Sequence, residues 1–195
     1  MMCDVLSLRR VVLIVAVLNG AYFFVEFGVA LAIGSVSLFS DSVDFLEDTL
    51  INALIFVSLP WAAARRRKVG SLLSFVILIP ALATIWTVVS KVLDPYPPAS
   101  IPLTLAGVGA LAVNVTAAIL LVSHRHNQGS LTKAAWLSAR NDSLADVAII
   151  AVGVLTIWFA TGWLDIVVGI GIAILNVDAA RDVWKAARAE TDPMP

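Results

Sequence analysis

Apolar residues run along the chain in six long stretches, at about 11–33, 38–59, 70–92, 102–122, 134–159 and 164–181, separated by short polar segments. An α-helix needs ~20 predominantly apolar residues to cross a hydrocarbon layer ~30 Å thick. In lipid the backbone must bond within its own segment, so stretches of this length predict membrane-spanning helices. The breaks carry residues that end helices: Gly34-Ser35 and Ser37, Pro60, the run from Asp94 to Pro98 with Pro102, and Thr161-Gly162. Pro80 falls inside the third stretch and predicts a kink there.

Charge sets the direction of each span. Arg9 and Arg10 precede the first, and Arg65, Arg66, Arg67 and Lys68 lie between the second and third. Arg125 and Lys133 lie between the fourth and fifth, and Arg181, Lys185 and Arg188 follow the sixth. The opposite loops carry only Asp94 and Asp165. By the positive-inside bias, both termini are expected in the cytoplasm. The remaining basic residues, Lys91 and Arg140, fall within spans, and Lys91 is near enough to the outer end of its helix to snorkel. The predicted fold is an all-α membrane protein, a six-transmembrane-helix bundle with both termini cytoplasmic.

Composition agrees with that pattern. The chain is 60% hydrophobic and 14% charged, against roughly half and a quarter for soluble domains. Six spans and their loops use up the 195 residues, so a single transmembrane domain over 1–195 is expected, with no soluble domain. A multi-pass protein of the cell (plasma or inner) membrane follows, partnered by the bilayer and by no nucleic acid. Cys3 is the only cysteine, which excludes an internal disulfide and a cysteine metal cage. The first stretch exceeds the 7–15-residue apolar core of a signal peptide and carries Asn19 and Glu26, so it is expected to be retained. His124 and His126 are expected in a solvated cytoplasmic loop.

Four acids interrupt this apolar pattern at depth. Asp44 and Asp48 lie in the second span, and Asp142 and Asp146 in the fifth. A spacing of four puts both members of a pair on one helix face. Charge at membrane depth is costly and normally marks a functional cavity. Counting ~1.5 Å per residue inward from the outer face puts Asp44 at ~9 Å and Asp48 at ~15 Å. Counting span five outward from about Ala134 puts Asp142 ~12 Å and Asp146 ~18 Å from the inner face, which in a core of ~30 Å is ~18 and ~12 Å from the outer one. Asp44 is therefore expected level with Asp146, and Asp48 with Asp142, forming a divalent-cation cage.

Other polar residues take supporting places. Asp41, near the outer end of span two, suits a helix-cap or interface role, and with Glu26 and Asn52 it is also a candidate for a place behind the ligands or along the pathway. Glu26 is level with Asp44 and is expected in an outer vestibule or behind the ligands; Asn52 continues the Asp44/Asp48 stripe towards the cytoplasmic exit. Glu47 lies on a different face, and its partner is open. Asn114 is expected to hydrogen-bond between helices. Arg140 and Asp178 have similar estimated depths and are a candidate ion pair.

The segment GSVSLFSDSVDFLED, Gly34 to Asp48, resembles the second-span signature of the cation diffusion facilitators. In that family a Gly-Ser-x-Ser-Leu turn leads into a helix bearing two metal ligands four residues apart. KAAWLSARNDSLADV, Lys133 to Val147, resembles the fifth-span counterpart, and the LDPYPP turn and Trp163-Leu164-Asp165 also look like family features. The resemblance covers all six spans and implies that Asp44, Asp48, Asp142 and Asp146 are the metal ligands. It implies exchange of a divalent metal for protons by alternating access, usually exporting metal from the cytoplasm, and a homodimer. Zinc-type members often have His where this chain has Asp142, and no counterpart of the family's cytoplasmic metal-sensing domain is expected after span six.

The ligand chemistry leaves the metal open. Oxygen-only sites favour harder ions such as Mn²⁺, whereas imidazole and thiolate suit zinc and copper; aspartate nevertheless ligates zinc as well. The expected function is therefore export of a divalent transition-metal cation of the Zn/Co/Mn/Fe class. The metal is cargo, and no permanently bound cofactor is expected. The alternative is an intramembrane enzyme. Asp41, Asp44 and Asp48 form DxxDxxxD, and with Asp142 and Asp146 they resemble the magnesium-diphosphate motifs of UbiA-type prenyltransferases. A diphosphate needs cationic clamps, and Arg140 is the sole arginine within a span.

Overall fold

A computed structural model describes residues 2–58, 83–122 and 130–175. Six helices lie among them, with no strand: α1 (Met2–Ile33), α2 (Val36–Ser58), α3 (Ala83–Leu93), α4 (Ser100–Val122), α5 (Ser130–Leu155) and α6 (Trp163–Leu175). Each overlaps one of the six apolar stretches. Pro60, Pro80, the basic run 65–68, His124, His126, Asp178 and the tail beyond lie outside the described residues.

Leu8–Ile33 and Ser100–Val122 are long and apolar enough to cross a membrane outright. At 23 and 26 residues, α2 and α5 have the length, about 34 and 39 Å. Their apolar character is broken by acids at 41, 44, 47 and 48 and by charges at 133, 140, 142 and 146. The same residues that spoil the apolar pattern carry the candidate chemistry.

Local sequence explains the helix ends. Gly34 adopts a left-handed backbone, φ 63°, and the Ser35 amide donates back to the Ala30 carbonyl at 3.1 Å. This is the glycine-terminated closure that satisfies the last carbonyls of a helix. Ser35 then caps α2, its hydroxyl accepting from the Leu38 amide at 3.2 Å. Pro102, at the start of the fourth stretch, falls in the first turn of α4, where a missing amide hydrogen costs nothing.

α1 packs along α2, and α4 along α5; α1–α4 and α2–α5 contacts join the two pairs into a four-helix bundle. The three described connections meet at one end of it. Tyr96 lies against Gly34, and Gly162 lies against the backbone of Pro95 and Tyr96. Glycine lets α4 and α5 approach closely: an added Cβ on Gly153 would lie 2.9 Å from the Thr104 amide nitrogen.

Two apolar clusters fill the bundle at different levels. The one near the connections includes Ala30, Leu38, Phe39, Leu103 and Ile149. The far one includes Leu8, Val12, Ile51, Ile55, Leu121 and Ala139. Between them runs a polar layer with Glu26, Asp41, Asp44, Asp48, Asn114 and Asp146 all buried. Outside, Phe24, Trp86, Leu93, Ile101, Leu144 and Trp158 are each more than two-thirds exposed. Polar inside and apolar outside is the arrangement a hydrocarbon solvent selects.

Candidate functional site

The polar layer is assembled at the seam where α2 of one helix pair meets α5 of the other. Asp44 and Asp48 are 8% and 2% exposed, Asp146 is fully buried, and Asp142 is half-buried. Asp44 has Asp142 as its foremost electrostatic neighbour, followed by Asp41, Glu47 and Asp48. Asp142 faces Asp48, Asp146 and Glu47, and it accepts from the Ser138 hydroxyl at 3.3 Å. Ser138 is also within hydrogen-bonding reach of Asp48. These three aspartates and Ser138 form one neighbourhood.

Asp146 looks towards a second. It accepts from Asn114 Nδ2 at 3.0 Å, so Asn114 bonds between helices as expected, from α4 to α5. Asp146 also neighbours Asp41, which in turn stands against Glu26. Tyr22 borders this group and donates to the Ala106 carbonyl at 2.6 Å. Glu26, Asp41, Asn114 and Asp146 thus come from α1, α2, α4 and α5, one from each helix of the bundle.

Asp146 is level with Asp41, about one helical turn from the expected match with Asp44. One turn of sequence accounts for the shift: α5 begins at Ser130, four residues before the start used for counting depth. Of the two places the sequence left open to Asp41, it does not take the cap. It is fully buried with its carboxyl inside the polar layer, and the cap falls to Ser35.

The layer is short of donors. Among the described residues, nothing donates to either carboxyl oxygen of Glu26, Asp41 or Glu47, or to Oδ1 of Asp48 and Asp146. Buried carboxylates without donors are expensive unless a cation or proton compensates. Among the described residues, no three His, Cys, Asp or Glu side chains are gathered closely enough to hold a metal ion together. The carboxylates form two adjoining groups rather than one closed shell.

Further polar residues line the seam. Asn52 donates to the Asp48 carbonyl at 2.8 Å, leaving its own Oδ1 buried without a partner. Asn19 is fully buried with both amide atoms unpartnered. Sequence reasoning missed Asn19 as a site residue, although it lies seven residues before Glu26, two turns along the same helix face. Ser138, one turn before Asp142, was missed on the same grounds. Lys91 does not snorkel: it is buried and donates to the Gly34 carbonyl, because the turn it faces offers an acceptor. Arg140 is exposed, over the Trp136 ring and bonded to Asn141 Oδ1 at 3.1 Å; its expected partner Asp178 lies outside the described residues.

An all-helical bundle with an apolar exterior and a buried seam of acids defines a membrane protein built around cations. Residues 12–190 match the cation efflux transmembrane domain, and the chain belongs to that family, the cation diffusion facilitators, which are transporters rather than enzymes. A cadmium, cobalt and zinc/H(+)-K(+) antiporter of Bacillus subtilis (strain 168) is 26% identical over 190 residues, covering 91% of this chain and 61% of the relative. The chain thus spans about three-fifths of that relative's length. The prenyltransferase alternative falls with the family assignment.

Proposed function

We propose that the protein exports a divalent transition-metal cation of the Zn/Co/Mn/Fe class across the cell membrane in exchange for protons. Asp44, Asp48, Asp142 and Asp146 are its ligands, with Glu26, Asp41 and Asn52 along the pathway. The observation that carries this reading is the seam itself. It holds buried carboxylates from α2 and α5, nearly empty of donors, in a chain of the cation efflux family. Such a seam attracts cations and rejects anions. The relative's printed activity on cadmium, cobalt and zinc, with H(+) and K(+), supports the class of cargo.

In this reading both termini are cytoplasmic, all six helices span the membrane, and the domain over 1–195 works as a homodimer. The meeting of the described connections at one end, with Asp94 as the one charge within them and no Lys or Arg, fits that end being outside. Alternating access then has a physical basis in the seam. The helices of each pair are packed along each other, whereas α2 and α5 belong to different pairs and can shift relative to one another. A shift of about one turn, ~5 Å, brings Asp146 from Asp41 to the level of Asp44, and the four ligands draw together on one ion. Protons compete for the same oxygens, because carboxylates must be deprotonated to bind metal. Protonation on the outer side releases the metal, and proton loss on the inner side restores the ligands.

The test is metal-dependent proton flux in proteoliposomes, screened over Mn²⁺, Fe²⁺, Co²⁺, Zn²⁺ and Cd²⁺. Coupled metal and proton movement that is lost in Asp48→Ala is the expected result. Metal movement with no proton flux would remove the exchange mechanism.

A further inference from the structure

The turn between α1 and α2 is held by two helices that supply no carboxylate to the acid seam. Asp165 of α6, fully buried, brings its carboxylate onto the first turn of α2. Its Oδ1 accepts from Ser35 Oγ at 2.7 Å, from the Ser37 amide at 3.1 Å and from Ser37 Oγ at 2.6 Å. Its Oδ2 accepts from the Val36 amide at 2.7 Å. Four donors therefore converge on one side chain.

A helix N-terminus presents amides that lack partners and a partial positive charge, and a carboxylate satisfies both. Such a cap usually comes from the adjacent chain. Here it comes from 128 to 130 residues away, so capping α2 also docks α6. The docking continues for another turn: Ser40 Oγ donates to the Gly169 carbonyl at 3.0 Å. An added Cβ on Gly169 would lie 2.6 Å from Val36 Cγ1. From α3, Lys91 bonds the Gly34 carbonyl and rests 3.6 Å from the centre of the Tyr96 ring, its charge reaching Asp165.

The clamp lies just upstream of the site. Ser37 is one turn before Asp41, and Asp44 and Asp48 follow at ~10 and ~16 Å along a rigid helix. Any axial slip of α2 at the clamp passes undiminished to those acids. Their height against α5 decides which carboxylates meet, since a single turn separates the Asp41–Asp146 match from the Asp44–Asp146 match.

We propose that Asp165 is a positioning residue for the metal-binding acids of α2: by clamping the helix start to α6 it sets their height against α5, and so the affinity of the site. This rests on reading Asp44, Asp48, Asp142 and Asp146 as the metal ligands.

The experiment titrates the purified full chain with Zn²⁺ and with Mn²⁺ by calorimetry and, separately, follows thermal unfolding without metal. Asp165→Asn keeps the size of the side chain but removes its charge and turns an NH₂ group towards the donors. It should weaken metal binding by about tenfold or more, as loss of a supporting residue behind metal ligands does. Asp165→Glu, which keeps a carboxylate, should recover part of the loss. Ser37→Ala removes one donor and should weaken binding to a smaller extent, which gives an answer even if Asp165→Asn does not fold. A lower unfolding temperature with wild-type metal affinity, in Asp165→Asn or in a folded Ser37→Ala, would overturn the proposal by making the clamp purely structural. Asp48→Ala separates the two levels of argument. Lost binding there with unchanged binding in Asp165→Asn overturns the positioning role alone, whereas normal binding in Asp48→Ala overturns the metal site and the positioning role together.

Discussion

Among the described residues Asp146 accepts from Asn114 alone, and Asp41 and Asp142 stand near it. A residue buried on those terms suits the proposed cation site. Replacing Asp44, Asp48, Asp142 or Asp146 by Ala should each reduce transport beyond the ~10–100-fold that loss of a merely supporting residue costs, with insertion into the membrane unchanged. Normal flux in Asp142→Ala would break the four-ligand set. Asp142→His exchanges a carboxylate for an imidazole, which should move preference from Mn²⁺ towards Zn²⁺; competition binding on the two proteins measures the ratio. The interest of the four aspartates was legible because acids at that depth are rare and a spacing of four is a helix spacing. For Asp41 the sequence left a cap and a place along the pathway both open; with Ser35 and Asp165 at the start of α2, Asp41 is buried in the polar layer. Asn19 was overlooked because a single buried amide carries no pattern until its partner helices are known.

Each of the six described helices overlaps one of the apolar stretches, since lipid leaves the backbone few alternatives. The register between helices could not be read from those stretches. It depends on where each helix starts and how closely its neighbour approaches, and small residues decide the second. Gly153 on α5 faces the Thr104 backbone of α4, and Gly107 on α4 faces Ile149 and Ile150. Gly153→Ala should force this pair apart and cost about 1–3 kcal/mol, the usual range for overpacking a tight contact, lowering the thermal unfolding temperature of the purified protein. At Gly34 a side chain would both collide with Tyr96 and hold an L-residue at φ 63°. Gly34→Val should therefore destabilise the protein by more than the ~1–2 kcal/mol charged to the left-handed backbone alone. An unchanged unfolding temperature in either variant would mean that the helices are less tightly fitted than described.

At the scale of the molecule, the apolar surface and polar interior define a membrane protein, and the distribution of Lys and Arg predicts how it is threaded. In a Cys3→Ser background, a cysteine at Ser100 should label from outside intact cells, and one at Gln128 only after permeabilisation; the reverse pattern would invert the topology. Metal binding to the purified chain should weaken steadily as pH falls, because protons occupy the same oxygens, and affinity independent of pH would remove proton competition from the mechanism. One feature of the bundle bears on the safety of the cell as much as on transport. The acid layer is bracketed by an apolar cluster on either side, so a charged compartment sits between two water-repelling barriers. Were both to be wetted at once, the membrane would acquire a continuous cation leak, and every gradient stored across it would drain. Replacing Val12 or Leu121 in the far barrier by Ser should therefore harm a growing cell more than deleting the protein does.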